Sequence, residues 1–150
     1  MFLSLFAAYA GTTTLSTQSV ILPADFGPQL VHGCGVTFAK YEGDVTGYWS
    51  PGVDDAKQME RALPAYLKQT EVHRPFTDYY RQYVGIVAGG MRLVFVSAFA
   101  SPSGVREKDF IPADWRDTPV TICGGSTDAW RVAFDPQRKQ FSHWSVNGPL

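Results

Sequence analysis

Residues 79–99 read YYRQYVGIVAGGMRLVFVSAF, and this stretch determines much of the fold. Aromatic and β-branched residues fill the segments on both sides of Gly89-Gly90, as is typical of β-strands. A two-residue turn between antiparallel strands needs positive φ angles, which glycine adopts without steric cost. The stretch therefore predicts a β-hairpin with strands over 79–88 and 91–99.

The two-glycine turn also sets the register of this hairpin, because each step away from the turn adds one pair of facing residues. In that register Val84, Ile86, Leu93 and Phe95 share one face. This face is almost entirely apolar. We expect it to be the core side of the sheet and to pack against a helix.

The opposite face of the hairpin is the candidate binding surface. It carries Tyr79, Arg81, Tyr83 and Arg92, and tyrosine and arginine are the side chains most often found at interface hot spots. We expect these four side chains to point away from the helix-packed face. The two like charges would be offset by an acidic partner, or by Asp78 or Glu71 of the preceding loop. The alternative is an ordinary solvated sheet face, or one half covered by the amino-terminal segment.

A helix is predicted over 51–68, bent near Pro64. Ser50-Pro51 supplies a capping serine and a proline suited to the first helical position, and Asp54-Asp55 lies near the positive end of the helix dipole. Pro64 removes one backbone hydrogen bond and crowds the preceding turn. Apolar residues recur at helical spacing: Val53, Ala56, Met59 or Glu60, Leu63, Tyr66 and Leu67.

A second hairpin is predicted with strands over 129–134 and 141–146. Its turn begins at Asp135-Pro136, which is favourable chemistry for the first two positions of a type I turn. Two short strands, over 36–41 and 120–123, complete the expected elements.

The order of elements predicts an α+β fold. Short links between strands favour an antiparallel meander, and the helix has one apolar stripe to bury against it. We expect a curved antiparallel sheet of about five or six strands packed on one kinked helix, in the manner of cystatin-like or nuclear-transport-factor-like folds. Residues 1–30 are assigned to an apolar possible signal segment with an irregular lead-in, and residues 31–150 to a single domain.

Composition limits the classes of partner. The chain has 150 residues, 45% of them hydrophobic and 18% charged, with a formal net charge of -1. This balance lacks the basic excess of a phosphate-binding protein, so nucleic acid is not expected as a partner. The high aromatic fraction, 14%, favours an aromatic-rich core, with an aromatic binding surface as the sharper alternative.

The amino terminus provides the prediction of compartment. Residues 2–9 form an apolar run, and Ala8-Tyr9-Ala10 has the small-x-small form of a signal-peptidase site. The first Lys or Arg of the chain is Lys40, so the usual basic start of a signal peptide is missing. The run is too short to span a bilayer. We predict a periplasmic or extracellular protein, with a cytoplasmic location as the open alternative.

The two cysteines, Cys34 and Cys123, are the disulfide candidates. An even, low count in an exported protein favours a disulfide over two buried thiols or a nucleophile. A cysteine nucleophile needs a histidine within reach, and none of the three histidines falls in a hydrolase signature. We find no CxxC, HExxH or DxDxDG pattern. We therefore identify no catalytic residue and no metal ligands, and we predict no cofactor.

Several short motifs resemble a family of small, uncharacterised, exported bacterial proteins. The matching pieces are Trp49-Ser50-Pro51, Glu60 with Leu63 and Leu67, the YRQYVG of residues 80–85, the ICGG of residues 122–125, Trp130, Phe134-Asp135-Pro136 and Asn147-Gly148. The resemblance covers about two-thirds of the chain from Trp49 onward. It implies an exported α+β domain and brings no activity, substrate or catalytic residues.

Three functions remain open from the sequence. The first is a small exported, non-catalytic binding or inhibitor-like domain that acts on a protein or cell-envelope ligand. The second is a small enzyme with its site between helix and sheet, and the third is a structural component of an envelope complex. A deep polar pocket would favour the enzyme, whereas a flat exposed aromatic patch would favour binding. The oligomeric state stays open.

Overall fold

The computed structural model describes residues 14–33 and 43–148. One six-stranded sheet organises this part of the chain. Its strands are β1 (Ser19–Ile21), β2 (Val45–Trp49), β3 (Tyr80–Ala88), β4 (Met91–Phe99), β5 (Ala129–Asp135) and β6 (Gln140–Val146). Strands β3 to β6 form an antiparallel meander. Strands β1 and β2 both pair with β3, β1 in parallel at one half and β2 antiparallel at the other.

The first hairpin has the predicted register. Tyr80 faces Phe99 at the open end of the hairpin, and Ala88 faces Met91 beside the turn. Gly89 and Gly90 have φ angles of 57° and 74°. The local signals were sufficient here, because turn geometry and side-chain alternation both specify the same pairing.

The second hairpin is also confirmed. Asp135 Oδ1 accepts hydrogen bonds from the backbone N–H groups of Gln137 and Arg138, at 2.9 and 3.1 Å. These bonds hold the turn between β5 and β6 closed. Pairing between the two strands shifts between Arg131 and Ala133, where His143 has a positive φ of 58°.

The described helices are α1 (Gly27–His32), α2 (Val53–Leu67) and α3 (Glu107–Phe110). The long helix begins later than predicted, with Gly52 as its N-cap in place of Ser50. The Gly52 N–H donates to Asp55 Oδ2 at 3.0 Å. The exposed Pro64 lies within α2, which continues to Leu67.

Both faces of the sheet are buried, which corrects the prediction of one covered face. Residues Val84, Ile86, Leu93 and Phe95 are buried as expected, but they pack against the amino-terminal segment. Helix α2 covers the opposite face. The core beneath α2 contains Ala56, Met59, Leu63, Leu67, Tyr79, Tyr83, Val94, Val96, Trp130, Val132 and Phe134.

The described part of the amino-terminal segment packs into the domain and contains β1 and α1, in addition to the irregular or partly extended lead-in predicted up to residue 30. Strand β1 adds to the sheet, and Leu22, Leu30 and Val31 fill the core on the α1 side. A parallel pair brings together residues far apart in sequence, so no local turn signals it.

The predicted strand over 120–123 is also wrong. This segment is irregular and is held by side chains: the Val120 N–H donates to Gln82 Oε1 at 2.8 Å, and Asn147 Nδ2 donates to the carbonyl of Ile122 at 2.6 Å. The strand predicted over 36–41 lies outside the described residues. The fold is α+β, with a sheet that is antiparallel except for β1.

Candidate functional site

Three of the four residues of the predicted binding surface are buried. Tyr79 and Tyr83 are 0% exposed and Arg81 is 2% exposed. They do share one face of the sheet, as predicted, but α2 packs on that face. The expectation that they point away from the helix is wrong, because both faces of the hairpin are apolar enough to be covered.

Arg81 is held entirely by its own chain. Its Nε donates to Glu60 Oε1 at 2.9 Å, and its Nη1 donates to the carbonyl of Tyr79 at 2.6 Å. The guanidinium lies 4.1 Å from the centre of the Phe76 ring. These contacts replace the water that a buried charge loses. The partly buried acid that balances this arginine, Glu60, comes from α2.

Glu60 collects further hydrogen bonds at the same oxygen. The hydroxyl of Tyr83 donates to Glu60 Oε1 at 3.0 Å, and the hydroxyl of Ser19 donates to it as well. The cluster thus connects β1, α2 and β3. Burial raises the pKa of Tyr83 well above its ordinary value, and the nearby Glu60 carboxylate adds to the effect.

Tyr79 has a similar environment at the end of the sheet where β3 begins. Its hydroxyl donates to the carbonyl of Thr127 at 2.7 Å. Burial raises its pKa to about 12. Both tyrosines therefore stay neutral at physiological pH and serve as internal hydrogen-bond donors.

Arg92 is the exposed member of the predicted surface. Its guanidinium lies 5.5 Å from the centre of the Trp49 ring. The Trp49 indole in turn donates to the carbonyls of Ile86 and Leu93, at 3.0 and 3.1 Å. Trp49 lies over Gly85, where an added Cβ would come within 2.6 Å of the indole ring. Arg92 is available to a partner, and the other three residues are not.

The motif YRQYVG is accounted for by these internal contacts. Arg81 and Tyr83 bind Glu60, and Gly85 leaves room for Trp49. Gln82 is fully buried and its Nε2 donates to the carbonyls of Trp115 and Thr118. The residues of this motif thus stabilise the fold, and they offer no accessible functional surface.

An open groove of about 660 Å³ lies between α2 and the β5–β6 hairpin. We call it the helix groove. It is lined by Gln58, Arg61, Ala62, Phe134 and Lys139. Two of these five residues are cationic and none is acidic. The side chain of Phe134 is 1% exposed, so the polar and basic groups dominate the accessible surface.

The two cations of the helix groove are exposed and make no ion pair with any described residue. Arg74, at the opposite end of the sheet, differs: it lies 2.7 Å from Asp128 and 3.4 Å from Asp78. Arg74 is thus paired with carboxylates of its own chain, whereas the described residues provide no carboxylate partner for Arg61 or Lys139.

A second groove of about 380 Å³ lies between the two hairpin turns, and we call it the turn groove. Its lining residues are Gly90, Met91, Arg92, Asp135, Gln137 and Arg138. Arg138 Nη1 lies 3.2 Å from the sulfur of Met91. The exposed Arg92 therefore belongs to a basic region that the sequence did not reveal.

The remaining chemical candidates are less concentrated. No group of three or more His, Cys, Asp or Glu that could hold a metal ion occurs in residues 14–33 and 43–148. His143 Nε2 lies 3.3 Å from Asp44 Oδ2. No free cysteine occurs in the described ranges, and Cys34 lies outside them, so the pairing of Cys34 with Cys123 stays a prediction.

Burial lowers the pKa of Arg131, whose Nη2 donates to the carbonyl of Gly33 at 3.1 Å. Among the helices of the described ranges, none combines the length and apolar character needed to cross a bilayer.

Fold and site together define a small α+β domain with a basic, open groove beside its long helix. In comparisons with known proteins, the chain matches no protein-family model, no curated protein and no solved structure. The family resemblance rests on the motifs alone and stays a prediction.

Sequence reasoning missed the residues that line the helix groove. Arg61 lies on the polar side of the predicted helix, and Lys139 lies in the turn that follows Asp135-Pro136. Each is ordinary in its local context. The consecutive basic pair Arg138-Lys139 in a tight turn was the one available signal, because hairpin tips are exposed and able to carry binding residues.

Proposed function

We propose that this protein is a small exported, non-catalytic binding domain whose helix groove receives an anionic group of a protein or cell-envelope ligand. The observation that carries the proposal is the pair of exposed cations, Arg61 and Lys139, on an open groove with no acid among its described lining residues. Charge complementarity of this kind steers a ligand and fixes its orientation.

The groove also has the chemical mixture of a recognition site. Gln58 offers an amide that can donate and accept, and Ala62 supplies an apolar patch between the charged groups. Lys139 has a backbone φ of 55° and its N–H donates to the carbonyl of Asp135 at 2.7 Å. The turn therefore fixes the backbone that carries this cation, which lowers the entropy lost on binding.

Export and a disulfide between Cys34 and Cys123 belong to the same proposal. Both rest on the sequence: the apolar run over 2–9 with its small-x-small site, and the even cysteine count. A cystatin-like or nuclear-transport-factor-like shape is the finer proposal for the fold. It is supported by the long helix packed across an antiparallel meander.

The test uses glutarate as a probe, because its carboxylates mimic those of acidic side chains and uronic acids. Titration of the isotope-labelled full chain should move the backbone NMR signals of Gln58, Arg61 and Lys139, with millimolar affinity. The double variant Arg61→Gln with Lys139→Asn should weaken binding about tenfold. Asparagine is chosen at 139 because it tolerates positive φ.

The matched control is Lys108→Gln, which removes an exposed positive charge in α3, away from both hairpin turns. It should leave glutarate affinity unchanged. Melting curves of all variants should coincide with that of the unmodified protein. If the Arg61 and Lys139 double variant melts normally and binds glutarate as tightly as the unmodified protein, the helix groove is not the site.

A further inference from the structure

The helix groove and the turn groove share two walls. Phe134 lines the helix groove and Asp135 lines the turn groove, and these two residues are consecutive at the end of β5. Arg138 and Lys139 are consecutive residues of the β5–β6 turn, and again one lines each groove. Consecutive Cα atoms are about 3.8 Å apart, so the two grooves meet at this turn.

The turn directs its two cations into different grooves. Lys139 has a left-handed backbone, with φ of 55°, whereas Arg138 does not. The hydrogen bonds from Gln137 and Arg138 to Asp135 fix the preceding residues. A left-handed backbone is strained for a residue other than glycine, and the hydrogen bonds of the turn offset this strain.

Among the described residues that line the two grooves, the one acid, Asp135, is turned inward. Asp135 is 9% exposed, and one of its carboxylate oxygens accepts the two backbone hydrogen bonds of the turn. Its other oxygen lies 4.0 Å from Arg138 Nε, a long contact for an ion pair. Its charge partly offsets that of Arg138. The joined grooves still carry four cations against one acid.

These four cations come from three separate elements. Arg61 lies on α2, Arg92 near the start of β4, and Arg138 and Lys139 in the β5–β6 turn. A small anion occupies one groove at most. A ligand that contacts all four must be extended and must carry several negative charges.

The apolar parts of the lining favour a peptide over an acidic glycan. The aromatic ring among the lining residues, Phe134, is almost fully buried and offers no face on which a sugar can stack. The turn groove instead exposes Met91, whose side chain is 36% accessible, and methionine is an adaptable contact for varied apolar side chains. Gln58 can bond to a peptide backbone.

We propose that the protein binds an extended acidic peptide segment of a partner protein, laid across the β5–β6 turn. Its carboxylates contact Arg61 and Lys139 in the helix groove and Arg92 and Arg138 in the turn groove, while an intervening apolar side chain packs on Met91. The idea rests on the proposed function, because the helix groove supplies half of the contacts.

The probe is a short synthetic peptide in which glutamate alternates with leucine, capped at both ends, and affinity is measured by calorimetry. The double variant Arg92→Gln with Arg138→Gln should weaken peptide binding about tenfold and leave glutarate binding unchanged. Arg61→Gln should weaken both ligands about two- to fivefold. Lys108→Gln is again the control and should change neither.

Three results would overturn the proposal in distinguishable ways. If the Arg92 and Arg138 double variant binds the peptide normally, the turn groove takes no part, and the glutarate test alone then decides on the helix groove. If an oligogalacturonate of matched charge binds more tightly than the peptide, the ligand is a glycan. If the peptide does not bind at all and glutarate does, the site accepts only small anions.

Discussion

At the scale of single residues, the pair of Arg81 and Glu60 explains why the predicted binding surface is buried. Arginine in a predicted strand normally indicates an exposed face, and this expectation failed because its partner comes from another element. One signal was present: Glu60 falls within the apolar stripe of the predicted helix. A glutamate on a buried helix face indicates that the element packed against that face carries a cation. The buried location of Arg81 follows from that.

Removing the carboxylate from this pair should destabilise the protein strongly. Glu60→Gln leaves the Arg81 guanidinium buried without an anion, and breaking a buried pair typically costs about 3–5 kcal/mol. Urea unfolding measures the loss. The matched control is Asp109→Asn, which breaks the pair between Asp109 and Arg106 on the surface and should cost less than about 1 kcal/mol. Equal losses of stability in the two variants would mean that the Arg81–Glu60 pair contributes no more to folding than a surface pair.

Tyr79 and Tyr83 should make the protein sensitive to alkaline pH. In the folded state burial raises the pKa of Tyr79 to about 12 and that of Tyr83 well above 10, whereas an unfolded tyrosine titrates near 10. Above pH 10 the unfolded chain therefore binds fewer protons than the folded one, so stability is lost as pH rises from 10 through about 12.

The measurement is urea unfolding across this alkaline range. Each raised tyrosine should change the unfolding equilibrium constant by up to about tenfold per pH unit. Tyr79→Phe with Tyr83→Phe should lower stability at neutral pH by about 1 kcal/mol for each lost hydrogen bond, and it should flatten the alkaline decline. A decline as steep as that of the unmodified protein would assign it to other groups.

At the scale of elements, the predictions were correct for those helices and strands that are specified by residues close together in the sequence. Both hairpins were correct because alternation and turn residues determine register over a few residues. Strand β1 was missed because its parallel pairing with β3 is non-local, and helix α1, which follows it, was missed as well. The burial of both sheet faces was missed for a related reason. When both faces of a hairpin are apolar, segments distant in sequence determine which layer covers each face.

The contact between β2 and β3 depends on the absence of a side chain at Gly85. An alanine Cβ there would lie 2.6 Å from ring atoms of Trp49, which forces the indole away from the carbonyls it bonds. Gly85→Ala should therefore cost about 1–3 kcal/mol and shift the indole N–H NMR signal of Trp49. Gly47→Ala is the control within β2, because its Cβ meets only Val87, at 3.7 Å. The indole signal should not move in that variant, and a shift there equal to that of Gly85→Ala would contradict the steric argument.

At the scale of the whole molecule, the basic region could not be read from the sequence. Its cations stand at positions 61, 92, 138 and 139, and only the fold brings them to one end of the sheet. A net charge of -1 is the sum over 13 basic and 14 acidic residues and gives no sign of where the basic ones cluster. Arg74, with Asp78 and Asp128, is an internally paired cluster at the other end. Composition sets the net charge of the chain, whereas the topology of the fold determines where charged side chains cluster.

Export and the disulfide also belong to the whole molecule, and one experiment tests them together. Cleavage after Ala10 removes the apolar run and leaves Ser19, with the rest of β1, in the mature chain. The Ser19 hydroxyl that bonds to Glu60 is thus retained. Intact-mass measurement of protein secreted by an exporting host should give a chain beginning near Gly11. Alkylation should label no thiol before reduction, and both Cys34 and Cys123 after it.

The disulfide should also contribute to stability. Closing the long loop between the two cysteines limits the unfolded chain, by up to roughly 4–5 kcal/mol in the chain-entropy estimate. Reduction should therefore lower the melting temperature, and Cys34→Ser with Cys123→Ser should melt like the reduced protein and no longer respond to reductant. A full-length mass with two alkylatable cysteines would place the protein in a reducing compartment and contradict both predictions. A full-length mass with blocked cysteines would contradict cleavage alone, because the bond itself requires only an oxidising compartment.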